Sequence, residues 1–275
     1  MQPSIFREGL FQDKVIIVSG GGSGIGRAIA RELAQLGAQV VICGRTQESL
    51  DAVKAELEVE GWKCAAHTCN IREEEQVKTL MAFTLSHFGK IDGLVNNAGG
   101  QFLAPAESFS AKGWSAVIET NLTGTFFMCR SAQQAYMKEH GGVIINIVAD
   151  MWRGFPNMAH TGAALAGVVN LTQSLALEWA QHGIRVNAIA PGLVDSSVMK
   201  KYPEPVQQLM KHLPKDIPAR RMATEREIAA AVVFLLSPAA TFISGETLKV
   251  DGAGSLYRLQ GYVIPDHEPW PKYDE

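Results

Sequence analysis

A cluster of glycines near the start of the chain supplies the first recognisable chemistry. The apolar segment 14–19 leads into Gly20-Gly21-Gly22-Ser23-Gly24-Ile25-Gly26, and a helix-forming stretch, Arg27-Ala28-Ile29-Ala30, comes next. Glycines at 20, 24 and 26 let the chain turn tightly and bring backbone N–H groups and a helix N-terminus against an anion. With strand, turn and helix in that order at the start of a domain, the anion that fits is a dinucleotide pyrophosphate. Ser19, Gly20, Gly22, Ser23, Gly24, Ile25 and Gly26 are therefore candidate cofactor-binding residues. The second apolar run ends Cys43-Gly44-Arg45, where a site selective for NAD places an Asp or Glu on the adenosine ribose. That acid is absent. Gly44 leaves room for a 2′-phosphate and Arg45 supplies a guanidinium for it, which favours NADP(H). The alternative for Arg45 is a solvated charge at a strand end, and the missing acid beside it decides between the two.

The elements that must position these residues are legible as alternating runs. Apolar strand-like segments cover 15–19, 39–43, 65–69, 91–96, 143–148, 185–190 and 247–250, and helical segments 26–36, 47–58, 74–87, 113–140, 162–182 and 225–236 lie between them. Such alternation predicts an α/β fold with a doubly wound, Rossmann-type parallel sheet and helices on both faces. Gly37 and Gly183 read as helix C-terminal glycines. With no internal boundary or repeat, residues 1–275 are expected to form one domain, with a substrate lid near 195–221 and a C-terminal tail at 252–275. Pro203, Pro205, Pro214 and Pro218 break the lid segment, for which a plain surface loop is the alternative. The tail carries Tyr257, Tyr262, Trp270 and Tyr273, aromatic enough to suggest packing on a neighbouring subunit.

Composition narrows the partners. With 47% hydrophobic and 19% charged residues the chain can bury a large core, and a net charge of −3 offers no broad basic surface for nucleic acid or anionic membrane. Cys43, Cys64, Cys69 and Cys129 form no C-x-x-C pair and read as free thiols, which points to a reducing compartment. The mixed-polarity N-terminus and the lack of a long apolar run predict a cytoplasmic protein that binds a small molecule.

Four further motifs carry a family resemblance. Asn96-Asn97-Ala98-Gly99 after the fourth strand, Asn121 in Thr120-Asn121-Leu122-Thr123-Gly124, Pro191-Gly192-Leu193-Val194, and Asn70-Ile71 after the third strand all lie downstream of the glycine turn. Together they resemble the short-chain dehydrogenase/reductase family over nearly the whole chain. The resemblance implies that Asn97, Ala98, Gly99, Asn70 and Ile71 border the adenosine half of NADP(H). It also implies that Pro191, Gly192 and Val194 close over the nicotinamide, that Asn121 serves the active site, and that the protein is a homotetramer built through the segments 113–140 and 162–182.

The same resemblance breaks at the reacting end. The family's carbonyl chemistry uses a Tyr, a Lys four residues later and a Ser one helix-lead earlier, so that the Lys lowers the Tyr pKa and the Tyr moves the proton. Anchored on Ala166-Gly167-Val168, the Tyr place is Thr161, the Lys place is Leu165, and the Ser place falls on Val148 or Ala149. Eight residues further on, Val169 and Gln173 do not restore the pair. The segments 99–106, 138–142, 175–179, 234–240 and 263–271 resemble, more narrowly, peroxisomal trans-2-enoyl-CoA reductases and the related 2,4-dienoyl-CoA reductases. Those groups reduce a C=C bond conjugated to a thioester, where the protein has to stabilise charge on the thioester oxygen. The resemblance thus implies an NADPH-dependent oxidoreductase of fatty acid metabolism acting on a trans-2-enoyl-CoA or 2,4-dienoyl-CoA, an acyl-thioester substrate. Asn121 and Thr161 are the candidate donors and Asp150 the candidate acid, with no metal called for. His160 is a weaker proton-source candidate, more ordinary as a packing residue, and Lys138 and His140 read as solvated charges at a helix end. Lys200, Lys201, Lys211 and Lys215 in the lid segment are candidates to meet CoA phosphates. Two alternatives stay open: another hydrophobic, branched or terpenoid substrate, and a catalytically silent NADP(H)-binding subunit.

Overall fold

The structure is a computed structural model that describes residues 4–196, 204, 207, 208, 212–257 and 264–273. Seven parallel strands form its centre: β1 (Val15–Ser19), β2 (Gln39–Gly44), β3 (Cys64–Thr68), β4 (Gly93–Asn96), β5 (Gly142–Ile147), β6 (Ile184–Pro191) and β9 (Thr247–Val250). They are ordered β3-β2-β1-β4-β5-β6-β9, so the strand order reverses beside β1. In such a sheet the crevice at the strands' carboxyl ends is where ligands bind. The runs expected from apolar periodicity are these strands, each within two residues at either end. A two-residue parallel pair, β7 (Val194–Asp195) with β8 (Ala223–Thr224), lies outside that reading.

Alternation along each strand assigns the two faces. Ile16, Val18, Val40 and Ile42 pack with α1 (Gly24–Gln35), α2 (Gln47–Val59) and a late helix, Glu225–Leu236, on one side. Ile17, Val41 and Cys43 pack with α3 (Glu74–Phe88) and with a long helical passage on the other. That passage comprises α4 (Ala111–Ile118), α5 (Gly124–Ala132) and α6 (Lys138–His140), joined by π-helical turns at Glu119–Thr123 and Gln133–Met137. Helix α7 (Ala159–Glu178) packs on the same face against β6, and the late helix is α8. Residues buried on both faces make these strands continuous apolar runs, as a covered parallel sheet requires. All four cysteines are free and buried, and Gly37 just after α1 and Gly183, capping the 3-10 turn Ala180–His182 that follows α7, both have positive φ.

The described part of the aromatic tail makes contacts within its own chain. Trp270 N–H donates to Ala219 O at 3.1 Å, and Arg221 Nε donates to Trp270 O at 2.7 Å while its guanidinium also grips Glu227 at 2.6 and 2.8 Å. The Tyr273 ring lies under the Arg226 guanidinium at 4.8 Å, and its hydroxyl donates to the buried Glu32 at 3.4 Å. Partners brought together from residues 32, 219, 221, 226 and 227 explain why the tail could not be placed from its own composition. Tyr262 and most of the lid segment, with Lys200, Lys201 and Lys211, lie outside the described residues; Lys215 is exposed.

Candidate functional site

The glycine turn sits at the carboxyl end of β1, where the strand order reverses. Gly20 and Gly24 have φ of +67° and +57°, a conformation that a side chain would strain. Gly26 is needed for space: a Cβ there would lie 2.5 Å from Asn97 Nδ2 and 2.8 Å from the Gly20 carbonyl carbon. Gly22 approaches Ser49 and Gly21 lies on Ile42 in the same way, each leaving under 3 Å for a Cβ. Gly21 was not among the sequence candidates, because its requirement comes from a residue twenty-one positions away. The N-cap Ser23 is exposed and extended and makes no capping bond, and α1 has no acidic residue in its first turn. These free N–H groups at a positive helix end form a cradle for an anion.

The second half of the cradle is fastened to the first by Ser19 and Asn97. Ser19 Oγ accepts from the Asn97 and Ala98 N–H groups, both at 3.0 Å, and donates to Val95 O at 3.3 Å. Asn97 Nδ2 donates to Ser19 O at 3.0 Å and Gly20 O at 3.3 Å. These two residues therefore shape the pocket through the backbone. Arg45 projects from the end of β2, exposed, and makes no ion pair or side-chain hydrogen bond among the described residues. Beside it, a Cβ on Gly44 would meet Leu50 Cδ2 at an ordinary contact distance of 3.6 Å, with no other heavy atom within 4 Å. Asn70 and Ile71 come after β3 at the same edge, with Asn70 N–H donating to Gln76 at 2.8 Å and Ile71 buried against Gly124.

At the other end of the crevice, Pro191 O accepts from Asp150 N–H at 3.1 Å and Gly192 N–H donates to Val250 O at 3.0 Å. A Cβ on Gly192 would lie 2.8 Å from the Asp251 Cα, so glycine lets this segment lie flat on the loop after β9. Val194 pairs with Ala223 and packs with the α1 and α8 side of the core.

The expected donors are placed differently from one another. Asn121 lies in the first π-helical turn, and its amide is fully engaged. Nδ2 donates to Gly100 O at 2.7 Å and to Val117 O at 2.9 Å, and Oδ1 accepts from Gly100 N–H at 3.1 Å. With both hydrogens taken, the Asn121 amide fixes the loop after β4. Thr161 is only 2% exposed. Its N–H donates to His160 Nδ1 at 2.8 Å, and its hydroxyl stands 3.2 Å from the same nitrogen. His160 is fully buried, stacked on Phe109 at 4.2 Å and edge-on to Phe102 at 4.4 Å. It staples the 102–109 loop to α7. Asp150 presents an Oδ1 that is buried and has no hydrogen-bond partner among the described residues.

The residues beside Thr161 on α7 and at the end of β5 pack together as an apolar cluster. Val148 and Leu165, 6% and 8% exposed, pack with Val168, Ala188 and Ala190, and Leu122, Ala149, Met151 and Val169 surround them. Helix α7 contains neither tyrosine nor lysine. His140 stacks on Tyr136 at 3.9 Å beyond the end of this region, away from the crevice chemistry.

Comparison with known proteins places this geometry. A family model described as "Enoyl-(Acyl carrier protein) reductase" matches residues 20–254. The chain is 36% identical over 244 residues to the "Probable 2,4-dienoyl-CoA reductase" of Bacillus subtilis, covering 88% of this chain and 96% of that one. It is 37% identical over 252 residues to the peroxisomal 2,4-dienoyl-CoA reductase of Mus musculus, covering 90% and 86%. Among solved structures, a citronellol catabolism dehydrogenase of Pseudomonas aeruginosa superposes with a TM-score of 0.84 at 47% identity, over 92% of this chain and 100% of that one. From the cradle at β1 to the flat segment after β6, the chain belongs to the short-chain dehydrogenase/reductase family of oxidoreductases.

Proposed function

We propose that the protein is an NADPH-dependent reductase of a C=C bond conjugated to a thioester, with a trans-2-enoyl-CoA or 2,4-dienoyl-CoA as substrate. The observation that supports this reading is the apolar packing of Val148 and Leu165, beside the buried Thr161, at positions that the sequence register aligns with the Ser, Lys and Tyr of carbonyl reduction. An apolar floor suits an acyl chain, and hydride addition to a conjugated C=C does not require a tyrosine at the carbonyl oxygen.

The residues present fit a phosphorylated dinucleotide. Gly20, Gly24 and Gly26 clear the backbone for a pyrophosphate, the N-terminus of α1 is uncapped by any side chain, and Arg45 stands exposed and unpaired among the described residues beside Gly44. Ser19, Gly22, Ser23, Ile25, Asn97, Ala98, Gly99, Asn70 and Ile71 complete the binding edge, and Pro191, Gly192 and Val194 form its far side. Bound there, NADPH supplies a hydride. The chain's own groups orient and exclude. Asn121 and His160 hold the one loop between β4 and α4, at Gly100 and at Phe102 and Phe109, that frames the acyl group, and the Val148–Leu165 cluster keeps water from the reacting carbon. Asp150, whose Oδ1 is one of the buried polar atoms without a partner among the described residues, is the proposed acid for the α-carbon, and the Thr161 hydroxyl, on turning from His160 Nδ1, is the proposed donor toward the thioester oxygen.

A second substrate class, a branched or terpenoid acyl-CoA, is favoured by the 47% identity to the citronellol catabolism dehydrogenase. Both classes use the same floor. The protein is further proposed to act in the cytoplasm as a homotetramer assembled through α4–α6 and α7, with the 195–221 segment as lid. The test is NADPH oxidation by purified protein with straight-chain and branched 2-enoyl-CoA and 2,4-dienoyl-CoA thioesters, using 3-oxoacyl-CoA as the carbonyl control. Turnover of the unsaturated thioesters alone is expected. Turnover of the 3-oxo compound, or of nothing while NADPH still binds, removes the proposal.

A further inference from the structure

Among the described residues, Lys249 is the one cation on the row that crosses the reacting end of the sheet, and it has no acidic partner there. The row is set by register: Val148 N–H donates to Ile189 O at 2.8 Å, continuing the β5–β6 pairing by one residue to set Val148 beside Ala190, and Ala190 pairs with Lys249. Packing settles the facing. Leu248 and Val250 pack with the α1 and α8 side of the core, whereas Ala190 and Val148 belong to the cluster against α7. Alternation along β9 therefore turns Lys249 toward the α7 side, where the apolar floor ends.

Its ammonium is held by an aromatic face. Lys249 Nζ lies 4.3 Å from the centroid of Trp152, which comes after β5 in the same turn as Asp150 and is 45% exposed. No carboxylate is within ion-pair distance of Lys249 among the described residues. The nearby acids are otherwise disposed. Both oxygens of Asp251 accept backbone N–H groups, from Ala253 at 3.0 Å and Ser255 at 2.9 Å, and Asp150 Oδ1 is bare. Arg153, next to Trp152, spends its guanidinium on Ser255 O at 2.7 Å. The two contacts, Lys249 with Trp152 and Arg153 with Ser255, draw the loop after β5 and the loop after β9 together over the end of β6. An ammonium seated on a ring face keeps N–H donors for an incoming acceptor.

We propose that Lys249, steadied on Trp152, binds an oxyanion carried by the substrate outside its reacting bond. This rests on the acyl-thioester reading above. The oxyanion has two possible sources, a phosphate of the thioester's carrier or a carboxylate on the acyl chain. Lys249→Met keeps the apolar stem and removes the charge, and Lys249→Arg restores the charge.

The experiment measures KM and kcat of both variants with one acyl group presented as the CoA thioester, as the phosphate-free N-acetylcysteamine thioester, and as the ω-carboxylated N-acetylcysteamine thioester. Binding of free coenzyme A and of a medium-chain dicarboxylate to NADP-saturated protein is measured alongside. Lys249→Met is expected to raise KM about tenfold, the loss of one charge-assisted contact, only for the substrate that carries the oxyanion. Its kcat should stay within about twofold, and Lys249→Arg should recover the KM. Equal KM for all three substrates overturns the proposal, as does a kcat loss that includes the neutral thioester, which would put Lys249 at the reacting atoms. Should the wild type turn over none of the thioesters, the acyl-thioester reading fails separately. The binding arm then decides on Lys249 alone: weakened binding of either anion in Lys249→Met supports it and unchanged binding of both overturns it.

Discussion

Replacing Arg45 by alanine isolates the cofactor preference from everything else in the molecule. Arg45 is exposed and holds no ion pair or side-chain hydrogen bond among the described residues, so its loss removes no contact that supports the fold. Its proposed partner is a 2′-phosphate, and a hydrogen bond to a charged group contributes about 1.5–3 kcal/mol. At about 1.4 kcal/mol per decade this converts to roughly a 10- to 150-fold rise in the Kd for NADPH. Exposure and salt screening put the outcome toward the lower end, and raising the ionic strength should shrink it further. NADH has no 2′-phosphate, so its Kd should move by less than about threefold. Calorimetric titration of wild type and Arg45→Ala with both nucleotides, at low and physiological salt, reads all four constants, and an unchanged thermal midpoint certifies the fold. A wild type that binds NADH more tightly than NADPH would refute the reasoning, as would a variant that loses both nucleotides equally.

Other perturbations draw on the same geometry. Gly26→Ala places a methyl 2.5 Å from Asn97 Nδ2 and 2.8 Å from the Gly20 carbonyl carbon. It should weaken both nucleotides by at least about tenfold, visible as loss of fluorescence transfer to bound NADPH. Asn121→Ala removes three hydrogen bonds at 2.7, 2.9 and 3.1 Å from the loop after β4. At about 1 kcal/mol each this costs roughly 2–4 kcal/mol, a fall in Tm of about 5–12 °C by calorimetry for a chain of this size. Burial raises the Glu227 carboxyl, but the Arg221 hydrogen bonds and the Thr224 N–H outweigh it and hold the group below the usual carboxylate value. A carboxyl depressed in the folded state stabilises above its unfolded pKa of about 4.3, and that stability is lost as pH falls through the folded value. Urea midpoints at neutral and acid pH should therefore show Glu227→Gln destabilised at neutral pH and less sensitive to acid than wild type. An equally steep acid limb in the variant would contradict the assignment.

Periodicity and turn chemistry made the sheet legible because both are local. The central strands are buried on both faces, so their apolar runs stand out, and Gly37 and Gly183 mark helix ends with the positive φ that the structure shows. The glycine turn was readable for the same reason. What was not readable depends on distant partners. The π-helical turns around Asn121 leave no periodic signature, so the engagement of its amide with Gly100 and Val117 emerges only once the loop after β4 is folded. Tyr273 reads as an aromatic in need of a packing partner, and Glu32 and Arg226 of its own chain are beside it only in the fold. His160 reads as an ambiguous titratable group until Phe102 and Phe109 enclose it. Lys249 passes as an ordinary strand residue, and its place on the Val148 row comes from register alone. Leu165 and Val148 lie far apart in sequence, and that they share one apolar cluster emerges only from the fold.

The central claim is that this chain delivers hydride to a carbon of a conjugated C=C bond. The most direct measurement supplies NADPH deuterated at the transferring position, with a 2-enoyl-CoA and a 3-oxoacyl-CoA in competition, and locates the label in the products by NMR. The account predicts deuterium at the β-carbon of a saturated acyl-CoA and none at the carbinol carbon of a 3-hydroxyacyl product. Deuterium at the carbinol carbon would contradict it and return the site to carbonyl chemistry.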